Sequence, residues 1–383
     1  MYPDAPMILT SISIYHLRNI AEAVITPAPG VTVFCGDNAQ GKTSALEAVF
    51  LVTNQRNLRS SSYQDVVQEG APFLKIILTA EEGGREYEQE LRLIREGSRF
   101  KKVFLENGSP KTRAKRDLFS ASVFFGPAEM RLLSGPPSRR RSYLDAILTA
   151  TDPKYARAYN TFEKIIRQRN RHLKGLSLRN AAADQLLSIY DEQLVRPAAY
   201  LWNARARLAP ELIPLVSDRL RMFWRGKEAS KPTLEYRAAI DVTGGEAVIA
   251  ERHLKTLQRA RPKELQRGVT ISGPQHDDLF CSQGEHEFAE RASQGEMKAV
   301  VFALMSAQAA IIRDRTGTAP VFLLDDIHAE FDFQYQRDIP LLCDGFQTLV
   351  TTTSRPAAGW GASEYLVAGG SFTPGEGGPD DAK

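Results

Sequence analysis

The feature that most constrains this chain is the run Gly36-Asp37-Asn38-Ala39-Gln40-Gly41-Lys42-Thr43, followed by Ser44. An apolar segment (31–35) precedes it and helical patterning (42–52) follows. Strand, glycine-rich turn and helix in that order form a phosphate cradle. Glycine lets the backbone curl until successive N–H groups face one anion, and the helix N-terminus adds its dipole. The spacing G-x-x-x-x-G-K-T makes Lys42 a point charge for the β- and γ-phosphates of a nucleotide. It makes the Thr43 hydroxyl a ligand for the accompanying Mg2+.

A second half for such a site lies near the other end. Residues 320–326 read Pro-Val-Phe-Leu-Leu-Asp-Asp, an apolar strand ending in two acids. The strand end would set Asp325 beside the magnesium and let Asp326 orient or deprotonate an attacking water. Residues 292–296, Ala-Ser-Gln-Gly-Glu, open a helix. Ser293 suits an N-cap there, and the same helix N-terminus suits an anion.

Between the two halves the periodicity changes. Residues 7–35 read as strands and 73–125 as an antiparallel meander with glycines at its turns. From 138 to 224 apolar residues recur at helical steps, as in Tyr155, Tyr159, Phe162, Ile166 and Leu173, and the second stripe is expected to kink or end at Pro197. These stripes predict a small helical bundle, too short for a long coiled coil. A strand (233–242), a helix (245–259), a helix (295–314) and strands at 320–324 and 348–353 complete the pattern. The Gly/Pro-rich tail, 371–383, is expected to be disordered and residues 1–6 to form a ragged extension.

With 43% hydrophobic and 25% charged residues, the composition is that of a soluble globular protein of two or three domains. No apolar run of about 18 residues is seen, so no membrane span is expected, and the N-terminus does not read as a signal peptide. Cys35, Cys281 and Cys343 are isolated, giving neither a disulfide framework nor metal spacing; a reducing cytoplasm is expected. The net charge of +3 says little about partners, but basic residues cluster at 111–116 (KTRAKR), at Arg139, Arg140 and Arg141, and at Arg167, Arg169, Arg171 and Lys174. Three arginines at a helix start oppose its dipole and require an anion, a carboxylate or a phosphate. Both arginine clusters are candidates for contact with phosphate. No aromatic-interleaved basic strand suggests stacking on single strands.

The order P-loop, helical insertion, Ser-Gln-Gly-Glu, Leu-Leu-Asp-Asp-x-x-x-Glu-x-Asp resembles the RecF family, relatives of the SMC proteins. Residues 12–19 with His-Leu-Arg-Asn, 124–131, 134–145 (SGPPSRRRSYLD), 168–170 with Leu173-Lys174, and 273–279 (GPQHDDL) fit the same family, so the likeness spans about residues 7–372. It implies an α/β ABC-type ATPase head, discontinuous in sequence (1–135 and 260–372), an inserted helical arm (136–259) and a tail (373–383). It also implies that Ser293, Gln294 and Gly295 face the γ-phosphate of an ATP held by a second head, with Asp332 at that interface. The function implied is a slow ATPase that closes as a homodimer on duplex DNA near single-strand gaps, and acts with RecR and RecO to load RecA. Departures are Gln275-His276 where His-Arg is frequent, Ala39 for glycine, Phe331 for leucine, and Thr351-Thr352-Thr353-Ser354 where ABC transporters carry a histidine. A cohesin-like tether would need long heptad arms, and a transporter ATPase a shorter insertion and that histidine.

Overall fold

In the computed structural model, which describes residues 7–59, 62–110, 121–176, 185–224, 232–327, 343–353 and 363–375, the chain forms two compact units. The first comprises Met1–Met130, Arg219–Arg225 and Lys298–Lys383. It opens with β1 (Ile8–Leu17), β2 (Ile20–Ile25) and β3 (Val31–Cys35), which leads into α1 (Lys42–Asn54). β4 (Phe73–Glu82), β5 (Arg85–Glu96), β6 (Arg99–Glu106) and the short β7 (Ser109–Pro110) follow. The antiparallel sheet runs β2-β1-β4-β5-β6-β7. Its register follows the period of two: Leu74, Ile76, Leu78 and Ala80 of β4 are fully buried, and the residues between them are not. The expected meander is present, with one difference. β8 (Val123–Phe125) is buried at every residue and joins a parallel sheet instead.

α1 is buried on nearly all sides because it lies between the two sheets. Leu46, Val49 and Leu51 pack with Ile14 and Ile76 of the antiparallel sheet and with Phe34, Leu323 and Leu349 of the parallel one. Each such side chain contributes about 1.5–3 kcal/mol on burial. The helix carrying Lys42 and Thr43 is therefore held rigidly.

The second unit comprises Arg131–Asp218 and Gly226–Met297. Its elements are α2 (Arg131–Ser134), α3 (Pro137–Thr151), α4 (Pro153–Gly175), α5 (Gln185–Trp224, whose last turns belong to the first unit), β9 (Thr233–Arg237), α6 (Gly245–Arg267), β10 (Asp278–Gln283), β11 (His286–Glu287) and α7 (Phe288–Arg291). α5 does not end at Pro197. It continues through Pro197, Pro210 and Pro214, and burial of Leu194, Ala198, Trp202 and Leu208 offsets the lost backbone bonds. The unit also reaches to residue 297, well past the expected arm boundary at 259, because β10 pairs antiparallel with β9. Asp277 ties the same region together. Its carboxylate accepts from Trp202 Nε1 (2.9 Å), Arg205 Nη1 (2.8 Å) and Tyr236 OH (2.6 Å).

Within this unit His253 is completely buried, edge-on to Trp202 at 4.7 Å, with Nε2 3.4 Å from the Ser272 carbonyl oxygen. Burial lowers its pKa to about 4, with the nearby Arg169 charge adding to the effect. The folded chain excludes a proton that the unfolded chain accepts below about 6.5. Stability is therefore full above that pH and falls as pH drops towards 4, by up to about 3 kcal/mol. Urea midpoints measured from pH 7 to pH 4 should show this slope, and His253→Leu should flatten it. An unchanged slope in that variant assigns the loss to other groups.

The chain returns to the first unit along α8 (Gln294–Thr316), then forms β12 (Phe322–Leu324), β13 (Thr348–Thr352), β14 (Ser363–Ala368) and β15 (Ser371–Pro374). α8 is long and apolar enough by composition to cross a bilayer, but its residues from Ala299 to Ile312 are buried inside the fold, as in a core helix. The second sheet runs β15-β14-β3-β13-β12-β8, parallel except at β15. The tail was expected to be disordered from 371, yet residues 371–374 pair with β14; 376–383 lie outside the described residues. The Gln347 carboxamide links the two sheets, accepting from Leu9 N and donating to the carbonyls of Leu9 and Ala28, each at 2.8 Å. The P-loop thus leaves the C-terminal end of a central parallel strand, β3, the place where open α/β sheets present ligands.

Candidate nucleotide-binding site

The turn from Gly36 to Gly41 is shaped by steric need. A Cβ on Gly36 would lie 2.2 Å from the Val367 carbonyl oxygen, and Gly41 has φ 112°. Ala39 also adopts a left-handed conformation (φ 63°), tolerable at about 1–2 kcal/mol. Asn19, in the turn after β1, donates to the Ala39 carbonyl (3.1 Å) and accepts from Ser44 Oγ (3.3 Å). On the other side, Gly369 N–H donates to Gln40 Oε1 (2.7 Å) and Gly370 N–H to the Gln40 carbonyl (2.8 Å). The loop is fixed from both flanks.

Lys42 folds back over this loop, donating to the carbonyls of Gly36 (2.5 Å) and Asp37 (2.7 Å). Thr43 Oγ1 donates to Asp325 Oδ1 at 2.7 Å, so the two proposed magnesium ligands are adjacent although far apart in sequence. Asp326 follows with φ 52°, and its Oδ1 is shielded from solvent with no hydrogen-bond partner among the described residues. A cavity of about 350 Å3 opens here, lined by Asn19, Asn38, Ala39, Gln40, Gly41, Lys42, Thr43, Ser44, Arg59, Pro127, Asp325 and Asp326. The glycine cradle, the lysine charge, the hydroxyl–carboxylate pair of hard oxygen donors and the unpartnered carboxylate oxygen suit a nucleotide triphosphate with magnesium.

One residue of the cavity and one buried carboxylate on the adjoining helix escaped the sequence reading. Arg59 lines the cavity and places Nη2 3.4 Å from Asp325 Oδ2, yet it follows α1 with no motif to mark it. Glu47, fully buried on α1, is held by Arg18, whose Nη2 lies 2.9 Å from Glu47 Oε1. The His-Leu-Arg-Asn stretch was legible only as a family likeness.

The profile of the RecF/RecN/SMC N-terminal domain matches residues 8–358. The DNA replication and repair protein RecF of Cyanothece sp. is 31% identical across 95% of this chain and 97% of its own length. This chain belongs to the RecF family. The RecF of Thermosynechococcus vestitus is 32% identical over 91% of both chains. The solved structure of the recombination mediator protein RecF with ATP, of the RecFOR pathway, superimposes with a TM-score of 0.87 at 25% identity, covering 97% of this chain and 98% of that one. An SMC head bound to the C-winged helix domain of ScpA shares the fold alone, at TM-score 0.57 and 14% identity. The α/β head expected from the motif order is thus the fold of this RecF-family chain.

The remaining candidate residues divide. Ser293, Gln294 and Gly295 are exposed at the start of α8. Ser293 forms a reciprocal cap with Glu296: its N–H and Oγ reach Glu296 Oε2 at 2.8 Å each, and Glu296 N–H returns to Ser293 Oγ at 3.3 Å. A Cβ on Gly295 would meet nothing within 4 Å among the described residues, so their packing does not require glycine there. Asp332, Phe331 and Ser354 lie outside the described residues, as does the 111–116 cluster.

Among the DNA candidates, two expectations are corrected. Arg169 is completely buried, with Nε on Asp191 (2.8 Å), Nη2 on Glu264 (2.6 Å) and Nη1 on Thr270 Oγ1 (2.7 Å). Arg140, 4% exposed, grips both oxygens of Asp278 at 2.7 Å. Their compensating anions are carboxylates, not phosphates. Arg141 is half-buried and donates to the Asp277 carbonyl (2.7 Å), and Arg139 is half-buried. Arg167 and Lys174 are exposed on α4.

Proposed function

We propose that this chain is an ATP-dependent DNA-binding protein of replication and recombinational repair, and that ATP hydrolysis works it as a switch. The observation that carries the reading is the meeting of Lys42, Thr43, Asp325 and Asp326 around one cavity. ATP binds with its β- and γ-phosphates at Lys42 and its magnesium at Thr43 and Asp325. Bound by Thr43 and Asp325, magnesium would supply charge neutralisation and orientation of the phosphates. Asp326 orients the attacking water. Its carboxylate is one methylene shorter than the glutamate usual in ABC-type ATPases, so it reaches that water poorly, which suits a slow reset. Two copies close on ATP when Ser293, Gln294 and Gly295 of one face the γ-phosphate held by the other, with Asp332 at the interface. The exposed Gly295, which no contact among the described residues requires, fits such close approach. The closed dimer binds duplex DNA near single-strand gaps, through Arg167 and Lys174 with Arg139 and Arg141, and acts with RecR and RecO in loading RecA. Cations at those places would contribute salt-dependent, sequence-independent affinity.

Ser293→Arg tests the composite site. As a cap alone, Ser293 is worth about 1 kcal/mol, and a folded variant would still dimerise. If it faces a second chain's phosphate, the variant binds ATP through Lys42 and Thr43, stays monomeric, and loses ATP-stimulated DNA binding. Light scattering with and without ATP and duplex DNA reads this out. A folded Ser293→Arg chain that dimerises with ATP defeats the sandwich.

A further inference from the structure

Thr351 lies on β13 beside the end of β12, 1% exposed and outside the lining of the cavity. A hydroxyl near that strand end could face a phosphate, but this one is turned inward and fully engaged. Its single proton goes to Asp325 Oδ1 (2.8 Å), and its oxygen accepts the N–H of Asp326 (2.8 Å).

Both bonds act on the acidic pair. Asp325 Oδ1 also accepts the Thr43 hydroxyl at 2.7 Å, so two hydroxyls, one from α1 and one from β13, fix the rotation of that carboxylate and leave Oδ2 on the side of Arg59. Asp326 leaves the strand with φ 52°, a conformation that a residue with a Cβ rarely adopts. An acceptor for its N–H in that conformation is what keeps the turn there. The outcome is a carboxylate on the cavity wall whose Oδ1 is enclosed but unpartnered among the described residues, on a strained backbone of the kind that a functional site retains.

We infer that Thr351 is a positioning residue for hydrolysis: one hydroxyl ties the metal-side carboxylate of Asp325 to the left-handed turn at Asp326, and so aims Asp326 at the attacking water. This rests on the ATPase reading above. Valine at 351 keeps the volume and the strand preference but supplies neither bond. The Asp326 N–H then gains by rotating towards extended backbone, which swings its carboxylate off the cavity wall.

The test uses the full chain with ATP and magnesium, comparing calorimetric binding with single-turnover hydrolysis. Thr351→Val is expected to bind ATP nearly as the parent does and to hydrolyse it about tenfold more slowly or worse, a loss on the scale of general acid–base assistance. Thr351→Ser, which restores the hydroxyl, recovers the rate. A purely structural role is separated by repeating Thr351→Val in an Asp326→Asn chain. If Thr351 acts through Asp326, the second change adds almost nothing; equal slowing in both backgrounds overturns the inference, as does a normal rate in Thr351→Val itself. Should the valine chain not fold, Thr351→Cys against Thr351→Ser makes the same comparison. A slow cysteine and a normal serine support the assignment, and two normal rates overturn it. A parent chain that neither binds nor hydrolyses ATP would defeat the functional reading instead, a result distinct from any of these.

Discussion

Lys42→Ala is expected to weaken ATP binding by about a hundredfold or more, some 2–3 kcal/mol of charge-assisted contact to phosphate. The lysine amine is already in place: it sits over its own loop on the carbonyls of Gly36 and Asp37, at the centre of the glycine cradle. Triphosphate has only to displace those two contacts. Alanine leaves the cradle amides and the Thr43–Asp325 pair intact, so the loss isolates the charge. Thermal melting of the nucleotide-free variant should be close to that of the parent, because α1 is held by its apolar sides and not by Lys42. Calorimetry with ATP and magnesium decides the matter. Binding at parental strength by the alanine variant would remove the basis for the phosphate site.

Arg169→Ala is expected to destabilise the second unit strongly, by about 3–5 kcal/mol. The guanidinium neutralises Asp191 and Glu264, which are 1% and 0% exposed in their side chains, and also bonds Thr270. Arg261 gives Asp191 a second cation at 2.6 Å, but Glu264 has no other ion-pair partner among the described residues. Removal therefore strands a buried carboxylate between α4, α5 and α6. Urea unfolding followed by circular dichroism should show a midpoint well below that of the parent. Arg167→Ala and Lys174→Ala, on the exposed side of α4, should leave that midpoint unchanged and weaken DNA binding at low salt. A folded Arg169→Ala chain of parental stability that has lost only DNA affinity would contradict the buried role.

The contrast between Arg169 and Arg167 shows where sequence reading stops. Both stand in one basic run at helical spacing, and composition ranks them equally as DNA contacts. Which one turns inward depends on Asp191 and Glu264, contributed by two other helices, and such distant carboxylates leave no local trace. The same holds for Arg140 with Asp278. Arg59 is the converse case: without a motif around it, only the fold brings it to the cavity beside Asp325.

What the sequence by itself determined is the chemistry carried by short local patterns. Six residues of turn with glycine at its ends, then Lys42 and Thr43, specify a phosphate cradle, because backbone curl and a helix N-terminus are local properties. An apolar run ending in Asp325-Asp326 specifies a buried strand with acids at its mouth for the same reason, and alternation in β4 chose its buried face. Tertiary structure alone decided which distant groups meet. It paired β10 with β9 and so carried the second unit on to residue 297; it kept α5 helical through three prolines by burying it; it drew β8 out of the meander into the parallel sheet; and it set the Thr351 hydroxyl between two acids whose own stretch of sequence gives no hint of it. Local preference is a matter of about 1 kcal/mol per residue, while burial and pairing of charge amount to several, so where the two compete the longer-range contacts prevail.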